Sequence, residues 1–416
     1  MEKTRRVKLK FEDLEFHETE SDGKVRGIFL KNFFFDVLKN EMDKLGKWRI
    51  IDKNLEIEGN ESAVRKRFNF LLEQKLQQLK SLQGKNATYV YEGMMPLLGS
   101  LYFGIIDRDT NIIEIRPVTG CNQKCIFCSV DLDCRQRDFV VNVDYLLNGF
   151  IRLAEIKLKK VDKIEAHINA QGEPLFYSKI VELVKGLASI KGVEIISMDT
   201  NALLLTKEKV DELVDAGITR FNISIEALVK EKASRIAGIP YPLDHVKEMC
   251  EYIASKSQFL LAPVWLHGIN DDEIEKIIEF AIQLRKIQEK SGIRQKFPML
   301  GIQNFLEYDY GKNPVKQQPW DVFYSFLERL EKKYKLKLKL GREDFGIVKC
   351  ASGKPFRKDD VVNAQIACEG MLPDEMLAVS DDRIIVLPNS KEKKKGKKIK
   401  VKLTRDKYNV FYGKVL

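Results

Sequence analysis

The sequence predicts an α/β protein built on a partial (β/α)6 barrel, with an α/β extension before it and a small β-barrel after it. Three observations support this prediction. Short β-branched runs alternate with helical stretches over residues 106–342, an amphipathic helical pattern precedes them, and strand-like segments follow over residues 345–416. Strands and helices in alternation form parallel sheets with right-handed crossovers, and six such units make a partial barrel.

The N-terminal extension covers residues 1–105. Its clearest element is a helix predicted over Glu61 to Gln83, where apolar residues advance by threes and fours and Gly84 follows as a stop. Residues 25–38 are too short and too interrupted to span a membrane, so they are predicted to be core. Met1–Lys10 lack the apolar stretch of a secretory signal, and seven cysteines argue against a disulfide scaffold, so a cytoplasmic location is expected.

The barrel region contains six predicted strands, and reactive groups in such barrels lie at the carboxyl ends of the strands. The strands are Ile112–Arg116, Lys163–Ile168, Val193–Asp199, Arg220–Ile225, Phe259–Val264 and Phe297–Ile302. The helices between and after them are Asp144–Leu158, Ser178–Ser189, Lys207–Asp215, Asp272–Lys290 and Trp320–Lys333. In the C-terminal region the predicted strands are Phe345–Lys349, Met376–Val379, Ile384–Leu387, Lys398–Leu403 and Asn409–Val415.

The strongest chemical signal is a C-x3-C-x2-C motif directly after the first barrel strand. Its members, Cys121, Cys125 and Cys128, can each hold one iron of a cubane iron–sulfur cluster, because soft thiolates suit iron–sulfur chemistry. A cubane has four irons, so three ligands leave one iron open for reaction. The alternative is that Cys134 supplies a fourth ligand and closes an electron-transfer cluster or a zinc site.

Here the sequence resembles the radical S-adenosylmethionine (radical SAM) superfamily, whose hallmark is this motif after the first strand of a partial barrel. Phe127, just before the last cysteine, matches an aromatic residue of the family pattern. The resemblance implies a 4Fe–4S cluster whose open iron is chelated by the amino and carboxylate groups of S-adenosylmethionine. It also implies reductive cleavage to a 5′-deoxyadenosyl radical and an electron donor such as ferredoxin or flavodoxin.

Further landmarks of the family occur at successive strand ends. Gln171-Gly172-Glu173-Pro174 is similar to the family's Gly-Gly-Glu-Pro turn, which implies that Gly172 and Glu173 bind the methionine ammonium. The resemblance further implies cofactor contacts for Asn201 after the third strand, for Ser224 and Glu226 after the fourth, and for Arg235 on the following helix. Gln171 departs from the pattern, since it places a side chain in the turn.

The catalytic residue beyond the cofactor stays open at this point. Cys134, Tyr308 and Tyr310 are candidate hydrogen-atom donors, since thiols and phenols release hydrogen atoms readily. His167 lies in the second strand, where it is either an inward-facing substrate contact or a core histidine. Cys250, Cys350 and Cys368 are isolated and are predicted to be core residues.

The C-terminal region is strongly basic. From Asn389 to Leu416 there are 11 Lys and Arg residues against two acidic ones, a net charge of +9 in a chain of net +10. Lys398, Lys400 and Lys402 alternate with apolar residues and are predicted to share one exposed face, with the aromatic residues Tyr408, Phe411 and Tyr412 nearby for base stacking. This segment resembles a TRAM domain, a small RNA-binding β-barrel. The alternative is a structural barrel with a charged edge strand.

Together these features predict a radical SAM enzyme that modifies a nucleoside in tRNA or another structured RNA, with Lys393–Lys402 binding phosphates and no membrane association. One alternative is the same chemistry on a small metabolite or a protein. Another is a non-catalytic RNA-binding protein with a closed cluster. The sequence does not identify the modified atom.

Overall fold

The structure is a computed structural model and describes residues 6–19 and 23–416. Residues 1–5 and 20–22 lie outside the described residues. Both stretches belong to the predicted extension over 1–105, and the first is part of Met1–Lys10. The elements of the N-terminal part are β1 (Arg6–Leu9), β2 (Leu14–Glu18), β3 (Lys24–Phe29), β4 (Phe33–Leu38), α1 (Lys39–Asp43), β5 (Trp48–Ile51), β6 (Asn54–Glu58), α2 (Glu61–Leu76), β7 (Lys80–Ser81) and β8 (Asn86–Val90).

The barrel region follows with strands and helices in alternation. Its elements are β9 (Gly104–Asp107), β10 (Ile112–Arg116), β11 (Arg137–Val141), α3 (Val143–Leu158), β12 (Ile164–Ile168), α4 (Ile180–Ala188), β13 (Val193–Thr200), α5 (Lys207–Ala216), β14 (Arg220–Ile223), α6 (Lys230–Ala237), α7 (Leu243–Lys256), β15 (Gln258–Leu261), β16 (Val264–Trp265), α8 (Asp271–Lys290), β17 (Gln303–Asn304) and α9 (Trp320–Tyr334).

The barrel sheet confirms the predicted fold class. The strands β10, β12, β13, β14 and β15 lie side by side in parallel, and β9 pairs with β10 in the antiparallel sense. β10 has the predicted bounds, and β12 and β13 each differ from them by one residue. All five parallel strands therefore end on the side where the cysteine motif begins.

The sixth predicted strand, Phe297–Ile302, is irregular. Leu300 makes a parallel bridge to Leu261, and the Gly301 N–H donates to the Leu261 carbonyl at 2.8 Å. Regular pairing begins only at β17, which runs parallel to β16. The sheet thus continues through a sixth, interrupted strand, as expected of a partial barrel.

The larger N-terminal sheet extends to the segment after the cysteine motif. Its strand order is β2, β3, β4, β7, β8 and β11, and β11 pairs in parallel with β8. Buried residues alternate along β3 and β4, so that one face of each strand packs into the core. The cysteine motif is therefore bracketed by the barrel sheet on one side and the N-terminal sheet on the other.

The helix predicted over Glu61 to Gln83 is shorter than expected, because α2 ends at Leu76. Leu79 is buried, and its carbonyl accepts a hydrogen bond from the Ala87 N–H at 2.7 Å. β7 then pairs with β4 and β8. Strand pairing therefore takes the residues that the apolar pattern assigned to the last turns of the helix.

The C-terminal region forms a closed five-stranded barrel, called here the C-terminal barrel. Its strands are β18 (Val361–Glu369), β19 (Met376–Ser380), β20 (Arg383–Leu387), β21 (Lys398–Arg405) and β22 (Phe411–Val415). The strand predicted at Phe345–Lys349 is wrong, because Phe345 ends a short 3-10 helix that begins at Arg342, and Lys349 makes an isolated antiparallel bridge to Thr110 instead of belonging to a strand. β18 was not predicted, since most of its side chains are exposed or half-buried and the apolar pattern is weak.

The aromatic residues of the C-terminal barrel do not form the predicted stacking surface. Phe411 is fully buried and packs edge-on against Phe356, with ring centroids 5.5 Å apart, so its predicted role in base stacking is wrong. Tyr412 is half-buried, and the Arg405 guanidinium lies 5.6 Å from its ring. Tyr408 is half-buried beside Arg108, 5.3 Å from ring centre to guanidinium.

The C-terminal barrel is attached to the rest of the chain by buried contacts. The Tyr102 hydroxyl donates to the Glu375 carboxylate at 2.7 Å, and the Phe411 N–H donates to the Gly99 carbonyl at 3.0 Å. In the part of the chain that the structure describes, none of the helices has both the length and the apolar character that crossing a membrane requires.

Candidate active site

The loop that carries the three cysteines, residues 117–131, follows β10 and is held by backbone hydrogen bonds from two sides. The Glu173 N–H donates to the Gly120 carbonyl at 2.8 Å. On the other side, the Lys124 N–H donates to the Ala237 carbonyl at 3.0 Å, and the Ile126 N–H donates to the Ile236 carbonyl at 2.9 Å. The end of α6 and the loop after β12 therefore fix the backbone around all three cysteines.

Two glycines allow this close backbone approach. A Cβ atom at Gly172 would lie inside 3.0 Å of the Gly120 and Thr119 carbonyl oxygens, and one at Gly238 would lie inside 3.0 Å of the Lys124 carbonyl oxygen. Gly238 also caps α6 with a φ of +67°, a conformation that favours glycine. The glycine of the Gly-Glu-Pro turn thus has a packing reason that the sequence pattern alone did not give.

The site is a cavity of about 200 Å³ at the carboxyl ends of the barrel strands. It brings together most of the residues singled out in the sequence, namely Cys121, Cys125, Phe127, Cys128, Gly172, Glu173, Asn201 and Ser224. Asp199 and Thr200 line it as well. Residues from four strand ends therefore meet at one cavity, as the fold class predicts.

Glu173 is the central buried carboxylate of this cavity, with only 2% of its surface exposed. It accepts hydrogen bonds from the Thr200 hydroxyl at 2.8 Å and from the Asn201 N–H at 2.8 Å. Burial raises the pKa of Glu173 to about 7, although these donors act in the opposite direction. A cationic ligand group bound here would remove the cost of burying the carboxylate charge.

Glu226 and Arg235 differ in how they relate to the cavity. Neither residue lines it. The Oε1 atom of Glu226 is buried without a hydrogen-bond partner, and burial raises the pKa of this residue to about 8. Arg235 is exposed on the outer face of α6. Glu226 therefore offers an unsatisfied acceptor beside Cys125, whereas the structure does not bring Arg235 to the cavity.

The three thiols fit a cubane cluster by their chemistry and setting. Burial raises the pKa of Cys121 to about 11 and holds that of Cys125 well above its usual range, so a metal must displace the protons from both. Among residues 6–19 and 23–416, no three His, Cys, Asp or Glu side chains are placed to share a single metal ion. A cubane does not need such a group, because each thiolate binds a different iron.

Cys134, the alternative fourth ligand, lies in the 3-10 helix Leu132–Cys134 and does not line the cavity. Of the three other cysteines, which were predicted to be core residues, two are buried. Cys250 and Cys350 are buried, whereas Cys368 is half-buried and lines a different cavity. The three motif cysteines are therefore the set that faces the cofactor cavity.

Arg135 is a residue of this site that the sequence reasoning missed. It is 4% exposed and donates to the Thr119 carbonyl at 2.6 Å and the Val130 carbonyl at 3.3 Å. Its guanidinium also lies 3.9 Å from the Cys128 sulfur. Within the described ranges Arg135 makes no ion pair, so a thiolate-bound cluster would supply the negative charge that this buried cation lacks. In the sequence Arg135 and Arg137 lie two residues apart, and no local pattern indicates that Arg135 is the one that contacts the cysteine loop.

Gln171, which stands where the family's Gly-Gly-Glu-Pro turn has its first glycine, has a structural role. Its amide oxygen accepts from the Arg116 guanidinium at 2.9 Å, and its amide nitrogen donates to the Ser129 hydroxyl at 3.0 Å. The side chain therefore ties the barrel interior to the cysteine loop.

His167 faces the barrel interior. Its Nδ1 atom lies 2.9 Å from the Ser197 hydroxyl, and its Nε2 atom lies 3.4 Å from the Asp199 carboxylate. Burial alone would lower the pKa of His167, but Asp199 and nearby glutamates raise it to about 9. The Asp199 carboxylate therefore favours the protonated imidazole.

The loop after the interrupted sixth strand lies against the cysteine loop. Tyr310 forms a parallel bridge with Val130, and its carbonyl accepts from the Asp131 N–H at 2.8 Å. Burial raises the pKa of Tyr308, and the Cys128 thiol nearby acts in the same direction. The segment thus lies beside Cys128, although neither tyrosine lines the cavity. A hydrogen-donating role for either tyrosine stays a prediction.

Comparisons with known proteins agree with this geometry. A family model described as the radical SAM superfamily matches residues 115–281. The chain is 36% identical over 360 residues to the uncharacterized protein MJ0103 of Methanocaldococcus jannaschii, which covers 81% of this chain and 83% of that protein. This similarity extends well beyond the barrel.

A second relative is the GTP 3′,8-cyclase of Listeria monocytogenes, 33% identical over 180 residues, or 42% of this chain and 51% of the cyclase. The chain thus spans about half the length of that relative. Among solved structures, Streptococcus suis SuiB bound to its precursor peptide SuiA is similar, with a TM-score of 0.42, 15% identity, and coverage of 80% of this chain and 72% of SuiB. Taken with the motif and the barrel, the family model and the two sequence relatives show that the chain belongs to the radical SAM superfamily of enzymes, which use a 4Fe–4S cluster and S-adenosylmethionine.

Proposed function

We propose that this enzyme modifies a nucleoside in tRNA or another structured RNA. The observation that carries the proposal is a set of exposed lysines on the C-terminal barrel. Because the chain belongs to an enzyme superfamily, the non-catalytic alternative is not retained. The class of substrate is then inferred from the charge and shape of the molecular surface.

For the cofactors, we propose that Cys121, Cys125 and Cys128 hold the cluster. When bound, the cluster and S-adenosylmethionine supply a 5′-deoxyadenosyl radical that abstracts a hydrogen atom from the substrate. Glu173 offers a carboxylate to the methionine ammonium, and Glu226 offers its unpartnered oxygen to a hydroxyl group. The cluster needs an external electron, so the proposal includes a donor such as ferredoxin or flavodoxin.

The lysine surface consists of Lys391, Lys393, Lys394, Lys395, Lys397, Lys398, Lys400 and Lys402. Along β21 the lysines are exposed and alternate with buried apolar residues, as predicted. In the part of the chain that the structure describes, Lys394, Lys395, Lys397, Lys398 and Lys400 form no ion pair. The other three lysines lie near carboxylates, Lys391 at 3.7 Å from Asp374, Lys393 at 3.9 Å from Glu392 and Lys402 at 3.3 Å from Asp359. Uncompensated cations in a row bind phosphates and release counterions.

The edge-strand alternative has no basis in this geometry. β21 pairs with β18 on one side and with β22 on the other, so it has no free edge to protect. Lysines that block aggregation are needed on unpaired edges. Protection of an edge strand therefore does not explain the lysine surface, and we propose a polyanionic partner for it.

Two depressions next to the lysine surface suit a nucleic acid. One has a volume of about 480 Å³ and places Asn363 and Gln365 beside Lys398 and Lys400. Amide side chains of this kind hydrogen-bond to base edges. The other is a groove of about 760 Å³ between the loop lysines and Tyr89 and Tyr91 of the N-terminal extension.

In this proposal Tyr91, rather than the buried Phe411, is the aromatic residue that stacks with a base. Its side chain is 43% exposed, and its ring lies 5.7 Å from that of Tyr89. Stacking of a base on an exposed aromatic ring contributes about 1–3 kcal/mol to binding. A strand of RNA on the lysine surface would thus meet an aromatic platform at the groove.

The test combines binding and turnover in the anaerobic holoenzyme. Binding of bulk tRNA is measured between 50 and 200 mM salt for the wild type and for a variant carrying Lys398→Gln and Lys400→Gln. Loss of two phosphate contacts is expected to reduce the slope of log Kd against log salt by about 1.4–1.8. Formation of 5′-deoxyadenosine is expected to rise when tRNA is added to the wild type.

The matched control removes two exposed lysines elsewhere, Lys286→Gln and Lys290→Gln on α8, for which no ion pair is recorded in the described residues. This variant should keep the wild-type slope. Equal slopes in all three proteins, or 5′-deoxyadenosine formation indifferent to tRNA, would overturn the RNA proposal. The search for a substrate would then turn to metabolites or proteins.

A further inference from the structure

We propose that a second cavity, at the amino-terminal end of the barrel strands, binds a small organic anion that carries a phosphate or carboxylate group on a flat ring. This end of the barrel is opposite the cysteine loop. The proposal does not depend on RNA binding.

The cavity has a volume of about 340 Å³, within the usual range for small-molecule sites. Its floor is formed by inward-facing residues of the barrel strands, Glu114 on β10, Glu165 and His167 on β12, and Arg220 on β14. Its rim comes from three separate segments that carry Arg108, Arg342 and Tyr408. Glu114, Glu165 and Arg220 on the floor are buried and His167 is half-buried, whereas the rim residues are partly or fully exposed. The cavity therefore opens to the surface.

The lining carries an excess of positive charge. Three guanidinium groups face two carboxylates, and both carboxylates already accept hydrogen bonds from arginines. Glu114 accepts from Arg108, and Glu165 accepts from Arg220 at 2.7 Å. Among the residues that the structure describes, Arg342 forms no ion pair. His167 also lies at the floor, with its Nε2 atom 3.4 Å from the Asp199 carboxylate, so this pair adds no net charge to the lining.

Arg220 is the buried anchor of the site. It is 4% exposed, and one terminal nitrogen, Nη1, is buried without a hydrogen-bond partner. Its guanidinium lies 4.7 Å from the Phe297 ring centre and 5.6 Å from that of Phe345. Its Nε and Nη2 atoms already donate to Asn222 and Glu165, at 2.9 and 2.7 Å. The remaining Nη1 is an unsatisfied buried donor, which is costly, and it can donate a charge-assisted hydrogen bond to an oxygen of a phosphate or a carboxylate.

The remaining lining selects for a flat molecule. Phe345, Ile347 and Tyr408 form an apolar and aromatic wall beside the charged floor. A polar floor with a largely apolar wall is typical of sites that fix one charged group and pack the body of the ligand. An aromatic ring bearing an oxyanion satisfies both parts of this lining.

The cavity is separated from the cofactor cavity by one layer of polar side chains. His167 lines the lower cavity, and Asp199, 3.4 Å away from it, lines the upper one. A molecule bound below would thus lie inside the same barrel as the cofactor, with these side chains between the two.

The experiment titrates three probes into the anaerobic holoenzyme with S-adenosylmethionine at saturation, so that the adenine site is filled. Adenosine monophosphate and benzoate carry a flat ring with a phosphate or a carboxylate, and adenosine carries a ring without charge. Calorimetry is expected to show one site for at least one of the two anions and none for adenosine. Which anion binds more tightly identifies the oxyanion.

The variant Arg342→Gln removes an exposed rim cation without disturbing the core, and it should weaken anion binding by at least about fivefold. Arg294→Gln is the matched control, since Arg294 is also exposed but does not line the cavity. The variant Lys398→Gln with Lys400→Gln should bind the anion like the wild type. Absence of anion binding, equal binding of adenosine, or an unchanged affinity in Arg342→Gln would each refute the proposal.

Discussion

The backbone contact between Gly238 and the cysteine loop leads to a specific prediction about the cluster. Replacing Gly238 by alanine places a methyl group inside 3.0 Å of the Lys124 carbonyl oxygen, a distance that real Cβ atoms essentially never show. The carbonyl must move, and it belongs to the residue just before Cys125. We expect the variant Gly238→Ala to lose cluster affinity although no ligand has been changed.

The magnitude follows from two terms. Alanine at a φ of +67° costs about 1 kcal/mol relative to glycine. The overlap with the carbonyl adds about 1–3 kcal/mol of packing strain. If about 2 kcal/mol of that strain falls on the cysteine loop, the apparent affinity for the cluster falls about 30-fold.

The assay is the iron and sulfide retained after a chelator challenge, together with the thermal midpoint of unfolding. Gly292→Ala is the matched control, because Gly292 has a φ of +73° and nothing within 4 Å of an added Cβ atom. The control carries the backbone cost alone, so it should lose stability by about 1 kcal/mol and keep its iron. Equal iron retention in both variants would refute the argument that α6 positions the cysteine loop.

Two further predictions concern the cluster ligands and the C-terminal barrel. Cys134→Ala should keep the full iron content, whereas Cys125→Ala should lose it, as measured by iron analysis and by the electron paramagnetic resonance of the reduced protein; iron loss in Cys134→Ala would mean a closed cluster. Burial raises the pKa of Glu375 to about 7, against the hydrogen bond from Tyr102. Its contribution to stability is therefore complete below pH 4.5 and lost as the pH rises to 7, by up to about 3 kcal/mol. In urea unfolding at several pH values, Glu375→Gln should flatten this dependence, while Glu392→Gln, on an exposed loop, should leave it unchanged.

The sequence predicted the barrel well because its signals are local. Strand β10 and helix α8 were placed to within a residue, since each is a contiguous run with one period of burial. The cysteine motif needs only eight residues of chain to put three thiols on one loop. The order of the strand-end motifs then predicted most of the residues that line the cavity, but it also predicted Glu226 and Arg235, which do not line it.

The errors arose where distant chain segments compete with the local pattern. The apolar rows of α2 continue to Leu82, yet pairing with β4 and β8 ends the helix at Leu76. Phe411 looked like an exposed aromatic residue beside lysines, but closure of the C-terminal barrel buries it. A single strand cannot indicate which of its faces a closed barrel will turn inward when both faces carry large side chains.

The sequence alone therefore determined the chemistry, through the spacing of Cys121, Cys125 and Cys128, and the barrel that carries it. Only the tertiary structure revealed Arg135 beside the Cys128 sulfur, the approach of Gly238 to Lys124, and the grouping of Arg108, Arg220 and Arg342 around one cavity. These arginines come from segments more than a hundred residues apart. Charge and burial at such sites arise from contacts between segments, and a linear pattern holds no record of which segments will meet.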